Sequence, residues 1–302
     1  MAVLQVEQVS KSFNGFKAVD QVSFTVEKDH IYGLLGPNGA GKTTTIRMVM
    51  NILVPDSGSV SLFGQPMSDQ LKDRIGYLPE ERGLFPKMKC LDELIFFGEL
   101  HGMTKSDARN SALSWMEKLD IASSADQKIE ELSKGMQQKI QFIATILHDP
   151  ELIILDEPFS GLDPVNVNLI KDILLEFRQS GKAIIFSTHM MDAAEKLCDQ
   201  ILMINRGKKV LDGGLSAIQD TYGKNNVVIE YEGDGRIFDQ IPIIRSCNDY
   251  GNMAEVELRD GVEPDELLKH LIGKVKIRKF ETQRSSLNDI FLQLVQGDQT
   301  HE

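Results

Sequence analysis

The sequence predicts an α/β fold, a mixed sheet with antiparallel strands at its N-terminal end and a helical subdomain, followed by a small α+β domain. Three observations predict it. Apolar runs at Ile31 to Leu35, Ile75 to Leu78, Leu152 to Leu155 and Ala183 to Ser187 alternate with helix-competent stretches, the pattern of parallel strands buried on both faces. Ahead of them, Val3 to Val9 and Ala18 to Val26 are β-rich and joined across Asn14-Gly15, which predicts an antiparallel pair. From about Asn226 the texture changes to short alternating runs with two helix-like segments, so the domains are expected at residues 1–222 and 223–302.

The third apolar run feeds Gly36 to Thr44, GPNGAGKTT, which fits GxxxxGK[ST]. Glycines at 36, 39 and 41 let successive N–H groups turn inward, and a helix starting near Lys42 adds its positive end, so polyphosphate is the expected ligand. Lys42 is placed to reach the β- and γ-phosphates, and the Thr43 hydroxyl to hold magnesium. The helix is expected over Lys42 to Leu53, stopping before Pro55. In the turn before this loop, Phe13 and Phe16 each offer a flat ring for stacking on a base, or else belong to the core.

Ile75 to Leu78 runs into Pro79-Glu80-Glu81-Arg82-Gly83, a polar loop bounded by Pro79 and Pro86. A helical pattern then extends from Leu91 to about Ile121, with Trp115 expected in the core. Ser133 is a good N-cap for a helix whose face carries Ile140, Ile143, Ala144 and Leu147. The run Leu152 to Leu155 ends in adjacent carboxylates, Asp156 and Glu157, at the end of a strand where ligand chemistry gathers in parallel sheets. One carboxylate is placed to hold magnesium opposite Thr43, and its neighbour to meet a water attacking the γ-phosphate. After Pro164 a helix runs to about Gln179, and the strand from Ala183 leads to Thr188-His189. Taken alone, His189 is equally a satisfied surface or core histidine. Ile201 to Ile204 and Lys208 to Leu211 close the domain as a hairpin across Asn205-Arg206-Gly207.

The balance of 33 basic against 45 acidic residues, net charge -12, offers no footprint for nucleic acid. No run of 18 apolar residues and no signal-like start appears, so a soluble chain is expected. The three cysteines, Cys90, Cys198 and Cys247, are widely spaced, as buried thiols of a reducing compartment are.

Together these residues resemble the ATP-binding subunit of ATP-binding cassette (ABC) transporters over about Ala2 to Tyr222. The resemblance rests on GPNGAGKTT, LSKGMQQK from Leu132 to Lys139, ILDEP from Ile154 to Pro158, SGLD from Ser160 to Asp163, and STH ending at His189, in that order. It implies a P-loop ATPase with ATP and Mg2+ as cofactors. The nucleotide would be held by Phe13, Gly36, Pro37, Asn38, Gly39, Ala40, Gly41, Lys42, Thr43 and Thr44. Thr43, Asp156 and Glu80 would face the metal, Glu157 would polarise water, and His189 would contact the γ-phosphate beside Lys42. It further implies a head-to-tail dimer in which Ser133 and Gly135 of one subunit close on ATP held by the other. A transmembrane permease subunit is the implied partner, so the chain would be cytoplasmic, peripheral on the inner face of the membrane and bound to it only through that partner. Two departures stand out: LSKGM replaces the common LSGGQ, which puts Lys134 and Met136 in the signature, and Glu80 stands where a glutamine is usual.

The tail carries VVIEY, a GDG turn, Ile243 to Cys247, Met253 to Leu258, a helix over Pro264 to Leu271, Lys274 to Phe280, and a closing helix with Leu287, Ile290, Phe291, Leu294 and Val295 on its apolar side. It resembles the accessory domain of bacterial export-type ABC ATPases, including sodium-efflux and drug-resistance types, and is read as dimer support or, alternatively, a small-molecule sensor. Rival readings are a soluble ABC ATPase acting on a cytosolic assembly, which the lack of a second cassette or heptad insert disfavours, and a ligand-sensing regulatory ATPase. A GTPase lacks its NKxD sequence here.

Overall fold

The computed structural model describes residues 2–299 apart from 82, 223–225, 260, 284 and 285, and the side chains of 283 and 295–299 also lie outside the description. The side chain expected on the apolar side at Val295 and residues 223–225, where the second domain is expected to start, therefore fall outside the described residues. The chain divides into two compact units, one ending at Gly213 and the other starting at Gly214.

In the first unit, β1 (Ala2–Phe13) and β2 (Phe16–Glu27) pair antiparallel, with Phe13 opposite Phe16. Asn14 and Gly15 between them have φ of 49° and 83°, the two positive values a tight hairpin turn of this hand requires. The next elements are β3 (Ile31–Leu35), α1 (Lys42–Val49), β4 (Ser57–Leu62) and β5 (Gln65–Pro66). β2, β1, β4 and β5 form a four-stranded sheet in that order.

The chain continues through β6 (Ile75–Leu78), α2 (Cys90–Leu100), α3 (Lys105–Lys118), α4 (Lys134–Ile146), β7 (Leu152–Asp156), α5 (Pro164–Gln179), β8 (Ala183–Thr188), α6 (Met191–Leu197), β9 (Gln200–Asn205) and β10 (Lys208–Gly214). The main sheet has the order β10-β9-β3-β8-β7-β6, and β9, β3, β8, β7 and β6 run parallel. Every residue of β3, β7 and β8 is buried, which is why their sequences read as unbroken apolar runs. One core joins the two sheets through α1, with Phe24 of β2 stacked on Tyr32 of β3 at 5.5 Å. The crossing β3 to β8 to β7 brings Leu35, Thr188 and Asp156 to the same edge, and the site forms there.

Three expectations need correction. The helix after the glycine loop ends at Val49 rather than Leu53, because Asn51 turns left-handed at φ 52°. Ile52 N–H then reaches back to Arg47 O and Asn51 N–H to Met48 O, a helix stop stronger than the signal of Pro55. The helical run from Leu91 is two helices, broken at Gly102 (φ 79°), with Thr104 capping α3 by accepting from Asp107 N–H at 3.2 Å. A side chain at Gly98 would meet Ala108 Cβ at 2.6 Å, so glycine sets the close α2–α3 approach. Trp115 is half-buried rather than in the core, its ring 5.7 Å from Phe177 on α5 and covered by Lys118.

The second unit comprises α7 (Leu215–Tyr222), β11 (Asn226–Glu232), β12 (Ile244–Asp249), β13 (Met253–Leu258), α8 (Pro264–Leu271), β14 (Lys276–Gln283) and α9 (Leu287–Gln299). Its antiparallel sheet runs β12-β13-β11-β14, and a core around Val227, Ile229, Tyr231, Phe238 and Leu267 lies on one face. Tyr231 donates its hydroxyl to Asp249 at 2.7 Å, which gives the buried ring's polar tip a partner.

Candidate active site

The glycine loop connects β3 to α1 in a conformation other residues would resist. Gly41, the residue before α1, has φ 108°, and a Cβ there would lie 2.5 Å from Ala18 O; at Gly36 it would lie 2.2 Å from Ile204 O. No side chain caps the start of α1, so the N–H groups of its first turn are open to an anion. Lys42 is only 7% exposed; its ammonium donates to Gly36 O at 2.8 Å and Pro37 O at 3.2 Å and lies 3.5 Å from Glu157 Oε1. The cation is thus held over the loop it closes.

At the end of β7, Asp156 is fully buried, accepts from the Ser187 hydroxyl through Oδ1, and leaves Oδ2 with no hydrogen-bond partner. Glu157 adopts φ 52°, an uncommon state for a residue with a side chain, and places its carboxylate between Lys42 and His189. His189 Nδ1 lies 3.1 Å from both Glu157 oxygens. An ionised carboxylate only accepts, so this contact assigns a proton to Nδ1. Nearby, burial and then the Asp156 charge push the Tyr77 hydroxyl up to about 12, so it remains a neutral donor.

A cleft of about 340 Å³ joins Phe13, Phe16, the stretch from Asn38 to Thr44, Glu80 and Glu157. Both rings line it and both are exposed, Phe13 at 43% and Phe16 at 65%, which removes the core reading for either. If Phe13 stacks on the base, Phe13→Ala weakens ATP binding by about 0.5–1.5 kcal/mol, roughly twofold to just over tenfold, without lowering the melting temperature. Titration of ATP into Phe13→Ala and Phe16→Ala checks this, with the smaller loss expected for Phe16. Ser133 and Gly135 lie elsewhere, at the start of α4, where Ser133 caps the helix by accepting from Met136 N–H at 3.3 Å; Ser133 and Lys134 are exposed.

Sequence reasoning missed three residues that hold the site. Ser187 bridges the Asp156 carboxylate and the backbone N–H of Glu157. Gln138 donates to Pro158 O at 3.3 Å, and Gln141 donates to Pro79 O and Glu81 O, which ties α4 to the loop carrying Glu80. Their signal was polar character on otherwise buried elements, which a tertiary partner has to satisfy. The far end of that loop is tied by Glu93, fully buried, whose Oε1 accepts from Phe85 N–H at 2.7 Å.

Burial pushes Glu93 up to about 7, above the ordinary carboxylate range. A folded-state value above the unfolded one means this stabilisation is complete below about pH 4.5 and is lost as pH rises through about 7. The melting temperature should therefore fall between about pH 4.5 and 7 and level off above that, and fall less in Glu93→Gln, whose amide oxygen still accepts from Phe85. Parallel pH profiles for the two proteins would contradict this.

The family model described as ABC transporter matches residues 19–160, and that of the ATP-binding protein DrrA1-3-like C-terminal domain matches residues 213–295. The chain is 43% identical over 293 residues to the uncharacterized ABC transporter ATP-binding protein YhaQ of Bacillus subtilis (strain 168), covering 97% of this chain and 98% of that one. The chain belongs to the ABC transporter ATP-binding proteins. This ABC subunit is also 32% identical over 298 residues to the Nod factor export ATP-binding protein I of Burkholderia lata, covering 97% of both chains. Among solved structures, an ATP binding subunit of an ABC transporter superposes with a TM-score of 0.69 at 26% identity, over 73% of the ABC subunit and 93% of that chain. The ABC subunit is accordingly a nucleotide-binding P-loop ATPase that hydrolyses ATP for transport.

Proposed function

We propose that the chain drives a separate transmembrane permease subunit for export, as one half of a head-to-tail pair of ATPase subunits on the inner, cytoplasmic face of the membrane. The observation that carries the reading is the paired carboxylates ending β7: Asp156 with one buried oxygen unpartnered, and Glu157 held between Lys42 and His189. ATP phosphates fit the open N–H groups of α1, with Lys42 as their fixed cation. The unpartnered Asp156 oxygen and the Thr43 hydroxyl fit magnesium, and Glu80 lines the same cleft with a further carboxylate. Bound there, magnesium would offset phosphate charge during transfer. Glu157 accepts the proton of the attacking water, and His189 orients that carboxylate and faces the γ-phosphate.

The dimer is supported by Gly135. A Cβ there would meet nothing closer than Leu162 Cδ2 at 3.9 Å, so nothing in its own chain requires glycine. The space beside it is open to a close approach from outside, and a phosphate on the partner's loop fits the capped tip of α4. For the permease, the loop from Glu80 to Pro86 and α2 offer Phe85, Phe96 and Leu100, all exposed. Among the described residues no helix is long and apolar enough to cross a membrane, so the spanning part falls to the partner in this reading. The export direction follows the relative from Burkholderia lata, a Nod factor export ATP-binding protein.

The test is to tag the Glu157→Gln chain in its native cell, solubilise membranes with detergent and ATP, and identify what co-purifies. A multi-spanning membrane protein is expected. Recovery with cytosolic assemblies alone would overturn the reading.

A further inference from the structure

We infer that Ser187 is a positioning residue for both carboxylates of the site, fixing which Asp156 oxygen is free for the metal and which way Glu157 points. The inference rests on Asp156 as the magnesium ligand and Glu157 as the group that meets the attacking water. Ser187 is fully buried near the end of β8 and stands beside Asp156 in the parallel register. A hydroxyl has one proton and two lone pairs. Here the proton goes to Asp156 Oδ1, and the oxygen accepts from Glu157 N–H at 3.2 Å.

Two consequences follow. A carboxylate free to rotate would present either oxygen; with Oδ1 engaged, Asp156 keeps Oδ2, buried and unpartnered, as its open donor. Glu157 is in an uncommon backbone state that persists only where surroundings over-determine it. Its N–H is shared between Ser187 O and Ser187 Oγ, both at 3.2 Å, and this pair of contacts sits at the residue with φ 52°. That backbone state aims the carboxylate at Lys42 and His189. One hydroxyl therefore sets the metal-facing oxygen of one residue and the direction of the next.

The experiment uses the full chain with equimolar ATP and Mn2+ as the probe, free Mn2+ being followed by electron paramagnetic resonance, alongside ATP affinity in EDTA and steady-state turnover. Ser187→Ala and the size-matched Ser187→Cys should weaken Mn2+ binding to the ATP complex about 10–100-fold and lower kcat comparably, with metal-free ATP affinity within about twofold of wild type. Ser187→Thr, which keeps the hydroxyl, should restore both. Wild-type Mn2+ affinity and kcat in the Ala and Cys variants would overturn the inference, as would an equal loss of metal-free ATP binding, which marks a merely structural role. Asp156→Asn separates the premise: if it keeps wild-type Mn2+ affinity, the metal assignment itself fails, whereas loss in Asp156→Asn with none in the Ser187 variants defeats the Ser187 inference alone.

Discussion

Glu157→Gln should bind ATP and turn it over about 10²–10⁴-fold more slowly than wild type. The amide keeps the size of the side chain and an oxygen for Lys42, now 3.5 Å from the carboxylate, so the pocket around the phosphates is preserved. What disappears is the capacity to take a proton from water. His189 Nδ1 faces position 157 at 3.1 Å and is assigned to the orienting contact rather than to the water. Single-turnover hydrolysis compared with equilibrium ATP binding checks the claim, and a variant with wild-type turnover would remove Glu157 from the chemistry. Since bound ATP is the proposed clamp between subunits, the same variant should accumulate as a dimer in ATP.

Lys42→Ala should reduce ATP affinity by about 1.5–3 kcal/mol, roughly tenfold to more than a hundredfold. The ammonium is almost fully buried and already aimed across the loop by Gly36 O and Pro37 O, so little ordering remains to be done when phosphate arrives. Its loss also leaves Glu157, 12% exposed, facing His189 without the Lys42 cation. The melting temperature is therefore measured with and without ATP: the nucleotide-induced rise should shrink whatever happens to the baseline. Unchanged affinity and rate would defeat the assignment of the loop.

Much of this site is legible in the sequence because its groups sit at the ends of elements with simple patterns. Buried parallel strands read as apolar runs, so the residues that end them, Asp156 and His189's neighbour Thr188, are located by the pattern alone. The glycines of the loop are legible for a steric reason, since Gly36 and Gly41 have backbone carbonyls where a Cβ would be. Ser187 was not legible as a bridge: parallel pairing of β7 with β8 puts it beside Asp156, and no spacing in the chain encodes that register. Gln141 lies near the apolar face of α4 and makes sense only once the loop at Pro79 is packed against it. The stop of α1 at Val49 was hidden because asparagine takes the left-handed position that glycine usually advertises. Trp115 was misplaced because a large apolar side chain on a helix reads as core, while its seat is the rim between α3 and α5.

That seat has an optical consequence. Trp115 is the chain's single indole, and it touches Phe177 across a seam that Lys118 and Glu176 also bridge. Indole emission, excited beyond the tyrosine absorption band, thus comes from one place, the junction of α3 with α5. Any slippage of one against the other during a nucleotide cycle would change the wetting of that ring and the charge beside it, so the protein carries its own strain gauge.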